Sequence, residues 1–457
     1  MKVEKKQRFH LEPWTGLLND PNGLVYFQGK YHVFFQWNRF KKNHSYKEWG
    51  HFSSENLTGW KFDGSAIMPD QAYDQNGVYS GSAYVRGNQL CLFYTGNDRS
   101  SGKRKSSQCL AVTGNGKTFI KKGIILSTPN EYTEHFRDPK VWKSELGYYM
   151  AVGAQRKNGK GAIALCTSQD GEVWNYKNAL AVSETYEMIE CPDLFRLGSK
   201  YILIYCLQHR DNEKDTPVSG YAAYKVVSFD EEKGVLEDTN LDQDRNVMEY
   251  GFDFYAPQTF IAPDGRRILF AWMSRMTDCE EAVFANDETS IHCMTMAREL
   301  NMKGDMLCQR PIRELEECLI ESGSVKRQGQ EILLSHPTRT YCLKLWNLSQ
   351  ENSIIIEFQG KEAIVKYDGT KKTFSLQRLC WDCEGMEERA CQLDELEELE
   401  IWSDNSSIEI FVNQGEKVFS SRLNPVFAEG TVRVSGVSDK ATLKMYDIVL
   451  NEEDHNE

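Results

Sequence analysis

The sequence contains no apolar run approaching the ~20 residues of a membrane span, so no spanning helix is expected. The N-terminal MKVEKKQRFHLEPW carries basic residues with no apolar stretch behind them. A secretory signal is therefore not expected, and the expected location is the cytoplasm. Basic residues are not in excess either. Fifty-four Lys and Arg against 67 Asp and Glu leave a net charge of −13, which argues against nucleic acid as a partner. The 13 cysteines are odd in number and scattered, so they imply reduced, packed thiols rather than a disulfide framework. One CxxC occurs, Cys380-Trp381-Asp382-Cys383, with Cys391 nearby, and no second pair completes a four-ligand zinc site. Helical periodicity is almost wholly missing, which excludes helix bundles and α/β folds.

What the chain does have is strand–turn–strand units. LVYFQGKYHVFFQ (24–36), SAYVRGNQLCLFYTG (82–96), KVWKSELGYYMAVGAQ (140–155), DLFRLGSKYILIYC (193–206) and TFIAPDGRRILFAWM (259–273) recur at intervals of about sixty residues. Most are followed by a second, more polar strand pair, such as QCLAVTGNGKTFIK (108–121). Four strands per repeat and five repeats imply an all-β protein with a five-bladed β-propeller over residues 1–305. A fixed period disfavours a sandwich for this part, and four strands per repeat disfavour a solenoid. Residues 306–322 read as a linker. Short alternating strands after it, including SSIEIFVNQGEKVFSS (406–421), imply an antiparallel β-sandwich over 323–457. That sandwich is either structural or a homodimer interface.

The start of each repeat is polar. In order these are Asn19-Asp20-Pro21-Asn22-Gly23, Tyr79-Ser80-Gly81-Ser82, Phe136-Arg137-Asp138-Pro139, Glu190-Cys191-Pro192-Asp193 and Phe254-Tyr255-Ala256-Pro257-Gln258. Any one of these pieces is adequately explained as a turn. Five in register are not, because the first strands of propeller blades line one channel and their leading residues converge. Three repeats place a carboxylate there, and clustered carboxylates split their pKa values. Metal binding would want histidine or further carboxylates, and His51 is the lone candidate. Glycoside hydrolysis uses two carboxylates ringed by sugar-binding amides, hydroxyls and aromatics, and fits better.

At this point the residues resemble glycoside hydrolase family 32, the invertases, sucrose-6-phosphate hydrolases and fructan hydrolases. NDPNG with Gln36 downstream, WGH (49–51), SGS (80–82), FRDP (136–139), ECPD (190–193) and DFYAPQ (253–258) stand in that family's order, and SSIEIFVNQGE (406–416) resembles its sandwich. The resemblance implies Asp20 as nucleophile, Glu190 as acid/base and Asp138 as transition-state stabiliser. It implies Asn19, Gln36, Trp49, Ser80 and Arg137 as sugar-binding positions, a small-molecule sugar as partner, and no metal or cofactor. Two departures are expected to reshape the pocket rim. Leu17-Leu18 replace the family's usual Trp-Met, and RFKKNHSYKE (39–48) lacks a Trp that many members carry. The implied activity is a retaining β-fructofuranosidase acting on sucrose, sucrose-6-phosphate or short fructo-oligosaccharides. Alternatives are a fructan exo-hydrolase, a fructosyltransferase, a metal-dependent enzyme and a non-catalytic sugar-binding propeller. Two basic stretches, Lys41-Lys42 with His44 and Lys47, and Arg99, Lys103, Arg104 and Lys105, are either solvated loops or a place for a sugar phosphate.

Overall fold

The computed structural model describes residues 3–211, 216–274, 289–329, 331–348, 353–381 and 384–450. It is built from strands, as the alternating patterns require. Five antiparallel sheets follow one another along the chain. Their innermost strands are Gly16–Phe27, Val78–Arg86, Tyr132–Ser144, Met188–Leu197 and Tyr255–Ile261. In each sheet a hairpin leads outward to further strands, as in Val78–Arg86, Gln89–Asp98, Lys105–Thr113 and Ile120–Ser127. Each innermost strand touches that of the next sheet, and the fifth touches the first. The two-residue strand Ser290–Ile291 pairs in parallel with Gly16 and Leu17, tying the chain after the fifth sheet's second strand back to the first sheet.

The expected linker does not exist as such. Met306–Pro311 pairs with Arg298–Lys303 as the outer strand of the fifth sheet. A four-residue helix, Arg313–Glu316, turns the chain, and Leu319–Ser322 is the edge strand of a six-stranded sheet. That sheet faces a seven-stranded one, and Leu343, Ile356, Val365, Ile410 and Val434 are among the fully buried residues between them. A second apolar cluster joins Phe9, Trp272 and Leu300 to Trp402 and Phe411, so the five-sheet part and the sandwich share a packed boundary. Among the described residues, ten cysteines are outside any disulfide. Cys380 is instead disulfide-bonded, against the all-thiol expectation; Asp382 and Cys383 of its CxxC lie outside the described residues.

The polar openings are not turns preceding strands but irregularities inside them. Asn19 and Asp20 together face Gln36, Ser80 is an extra residue between Tyr79 and Gly81, and Asp138-Pro139 face Val152. Cys191-Pro192 and Ala256-Pro257 do the same in the fourth and fifth sheets. A bulge inserts a residue, bends the strand and re-aims a side chain, and it is also where a strand tolerates proline. Asp138, Cys191 and Ala256 sit there with φ of 66°, 47° and 50°. At Gly81 the strands come so close that a Cβ would stand 1.9 Å from the Phe93 carbonyl oxygen, so only glycine fits.

Candidate active site

The five bulges aim their side chains at one place. Asp20 is gripped at both oxygens: Ser80 Oγ donates to Oδ2 at 2.5 Å, and Asn19 Nδ2 donates to Oδ1 at 3.0 Å. Asn19 is itself oriented by Lys47, whose ammonium donates to its Oδ1 and to His44 Nδ1. An ammonium can only donate, so the Asn19 amide must turn its NH2 toward Asp20.

Glu190 is held from two sides. Arg137 donates to Oε1 from Nε at 3.1 Å and from Nη2 at 2.7 Å, while Tyr255 Oη donates to Oε2 at 2.8 Å. Both charged side chains are mostly buried, Arg137 at 11% and Glu190 at 12% exposed. Asp138 Oδ2 accepts from the Cys191 N–H at 3.1 Å, with the Cys191 thiol at 3.6 Å. Burial, together with the charges of Glu190 and Asp20 and against that of Arg137, raises Asp138 to about 7. Burial opposes the charge on Arg137, but Glu190 and Asp138 outweigh it and hold the guanidinium above its usual range. Contact with Cys206 and burial push the Cys191 thiol well up, so it stays an S–H donor. Asp20, Asp138 and Cys191 bring one potential ligand atom each within 4.8 Å of one another.

Two residues expected to touch sugar are placed behind the site. Trp49 has no exposed surface; it packs beside Phe34 and Tyr94 and donates Nε1 to the Tyr79 carbonyl at 3.1 Å. Gln36, 2% exposed, donates to the Val78 carbonyl at 2.8 Å. Both therefore brace the strand that carries Ser80. Leu17 and Leu18 are fully buried, with Leu17 packed among Ile291 and Trp381, so neither shapes a rim. Lys47, expected within a basic stretch as a place for a sugar phosphate, instead orients Asn19; Tyr255, expected only among the residues opening the fifth repeat, holds Glu190; and His135 is a site component that no motif marked. Tyr255 lay inside DFYAPQ and Lys47 inside a basic stretch, and those were the signals available.

The N-terminal-domain profile of glycosyl hydrolases family 32 matches residues 10–311, and the family's C-terminal profile matches 343–450. The chain belongs to family 32. It is a glycoside hydrolase, acting on O-glycosyl bonds. A sucrose-6-phosphate hydrolase of Bacillus subtilis is 38% identical over 442 residues, covering 92% of this chain and 89% of the relative. A raffinose invertase of Escherichia coli is 34% identical over 436 residues, covering 91% and 89%. Among solved structures, sucrose-6-phosphate hydrolase from Lactobacillus gasseri superposes with a TM-score of 0.85 at 27% identity, over 98% of this chain and 93% of that one. A Bombyx mori family 32 β-fructofuranosidase variant solved with sucrose gives 0.84 at 26%, over 98% and 95%.

Proposed function

We propose that this family 32 chain is a retaining β-fructofuranosidase that hydrolyses the terminal β-fructosyl bond of sucrose or sucrose-6-phosphate. The observation that carries the reading is a cluster of three carboxylates: Asp20 and Asp138 lie together, Glu190 stands close enough for its charge to raise Asp138, and Asp20 is bonded at both oxygens. Asp20 attacks the anomeric carbon of the fructosyl unit while Glu190, in its protonated form, delivers a proton to the glycosidic oxygen. Water then hydrolyses the covalent fructosyl-enzyme, and Glu190 takes its proton. Ser80 and Asn19 fix the attacking carboxylate, which lowers the reorganisation the reaction requires. Asp138 and Arg137 bind sugar hydroxyls, more tightly as the oxocarbenium-like state forms. Gln36 and Trp49 act through the strand they brace. The reading needs no metal; dialysis against EDTA should leave activity intact, and its loss would favour the metal-dependent alternative.

The five sheets with touching inner strands support a five-bladed propeller, from the N-terminus through Pro311, with the sandwich beginning at Leu319. A cytoplasmic location fits an imported or phosphorylated sugar, and the sandwich is the candidate surface for dimerisation. The test is fructose release from a panel of sucrose, sucrose-6-phosphate, 1-kestose, inulin and levan. Release from the two disaccharides above the polymers is expected. Preference for inulin or levan would support an exo-hydrolase, and oligosaccharide products at high sucrose a fructosyltransferase.

A further inference from the structure

Beside Glu190 lies a concentration of positive charge that catalysis does not use in full. Nη1 of Arg104 and Nη1 of Arg137 both approach Nδ1 of His135, at 3.5 and 3.2 Å. Arg137 is answered by Glu190. Arg104, whose guanidinium lies 5.6 Å from the Tyr79 ring centre, has no carboxylate partner among the described residues. His135 adds no compensating charge: burial and the two arginines hold it down at about 4, so it is a neutral acceptor. Of the two guanidinium groups, Glu190 is bonded to that of Arg137 alone, and Glu134 acts only on the imidazole by its charge, so among the described residues the Arg104 guanidinium has no carboxylate bonded to it. Planar, multi-donor guanidinium groups suit phosphate oxygens well.

The other basic stretch is differently engaged. Lys47 is committed to Asn19 and His44, and Lys41 is exposed. The second stretch places Arg104 beside His135 and Arg137, on the wall that holds Glu190. Arg104 is thus linked through His135 and Arg137 to Glu190, the group that protonates the departing oxygen.

We propose that Arg104, oriented by His135, receives a phosphate monoester carried on the leaving sugar. This rests on the β-fructofuranosidase reading and assigns its leaving-group specificity. The test compares kcat/KM for sucrose-6-phosphate and sucrose in wild type, Arg104→Gln and Lys103→Gln, the last lying outside the cluster. Wild type is expected to favour the phosphate ester about ten- to a hundredfold, the worth of one or two charge-assisted hydrogen bonds. That ratio should collapse toward one in Arg104→Gln and persist in Lys103→Gln. Inorganic phosphate should compete with sucrose in wild type and about tenfold less well in Arg104→Gln. Equal kcat/KM in wild type, or a ratio retained in Arg104→Gln, overturns the assignment. Either result with fructose still released leaves the hydrolase reading standing; release from neither substrate removes that reading itself.

Discussion

Tyr255 donates its phenolic proton to Oε2 of Glu190 at 2.8 Å, on the opposite side of the carboxyl from Arg137. Burial, with the charge on Glu190, keeps that phenol well above its usual pKa, so it remains a donor. A hydrogen bond to a charged group contributes about 1.5–3 kcal/mol. Tyr255→Phe should therefore lower kcat by about tenfold or more with a smaller change in KM, and most for poor leaving groups. Glu190→Gln should show the same dependence more strongly. An equal loss for good and poor leaving groups in both variants would place the proton donor elsewhere.

Asp20→Asn preserves shape and both hydrogen-bonding neighbours but removes the attacking charge. Sucrose hydrolysis should fall by several orders of magnitude with the fold intact by circular dichroism. A variant keeping more than about a tenth of the wild-type rate has lost under 1.4 kcal/mol of barrier stabilisation, which is too little for a nucleophile.

The raised Asp138 has a thermodynamic signature. Its carboxyl binds a proton in the folded state up to about pH 7, whereas the unfolded chain releases it near 4. The folded state thus holds the extra proton in between, and stability falls as pH rises through that window and levels off above it. Asp138→Asn should remove the slope and melt at or above the wild-type temperature at pH 8 while hydrolysing sucrose poorly. A variant that melts well below wild type at pH 8 would show that Asp138 is ionised and held by Arg137.

The repeats and motif order were legible because a strand's pattern and an Asp-Pro or Asn-Gly pair are local. What the motifs become was not. Asn19-Asp20 and Asp138-Pro139 read as turns, yet each is a bulge, and a bulge is defined by the strand opposite it. The side to which Trp49 turns depends on Phe34 and Tyr94 beside it, which no window around WGH contains. Met306–Pro311 read as the start of a linker because the strand that pairs with it, Arg298–Lys303, lies beyond the last of the five strand–turn–strand units. Leu17 was read by analogy as part of a rim, but Ile291, far along the chain, covers it.

The N-terminal strap presents the most distant of these relationships. The backbone N–H groups of Arg8 and Phe9 donate to Asp404 at 2.9 and 3.0 Å, and the His10 ring spans Asp404 Oδ2 and Glu409 Oε1, 2.8 Å from each. Glu409 also accepts from Arg298 Nε at 2.9 Å and from the Met296 N–H at 2.7 Å, so one carboxylate joins strap, fifth sheet and sandwich. All three ionisable side chains of the His10 cluster are wholly buried. Burial works against a charged His10, but the two carboxylates outweigh it and raise the imidazole from 6.5 to about 8. A raised histidine stabilises the fold fully below the unfolded value of 6.5, and that contribution is lost as pH rises through about 8; the shift corresponds to about 2 kcal/mol. The wild-type unfolding midpoint should therefore decline between about pH 6.5 and 8.5. His10→Ala should unfold earlier at pH 6, since breaking a buried ion pair costs about 3–5 kcal/mol, and should lack that decline. Thermal melts of both proteins across this range decide the matter. Coincident curves at pH 6, or a decline that persists in His10→Ala, would mean that the strap is not held by a charged histidine.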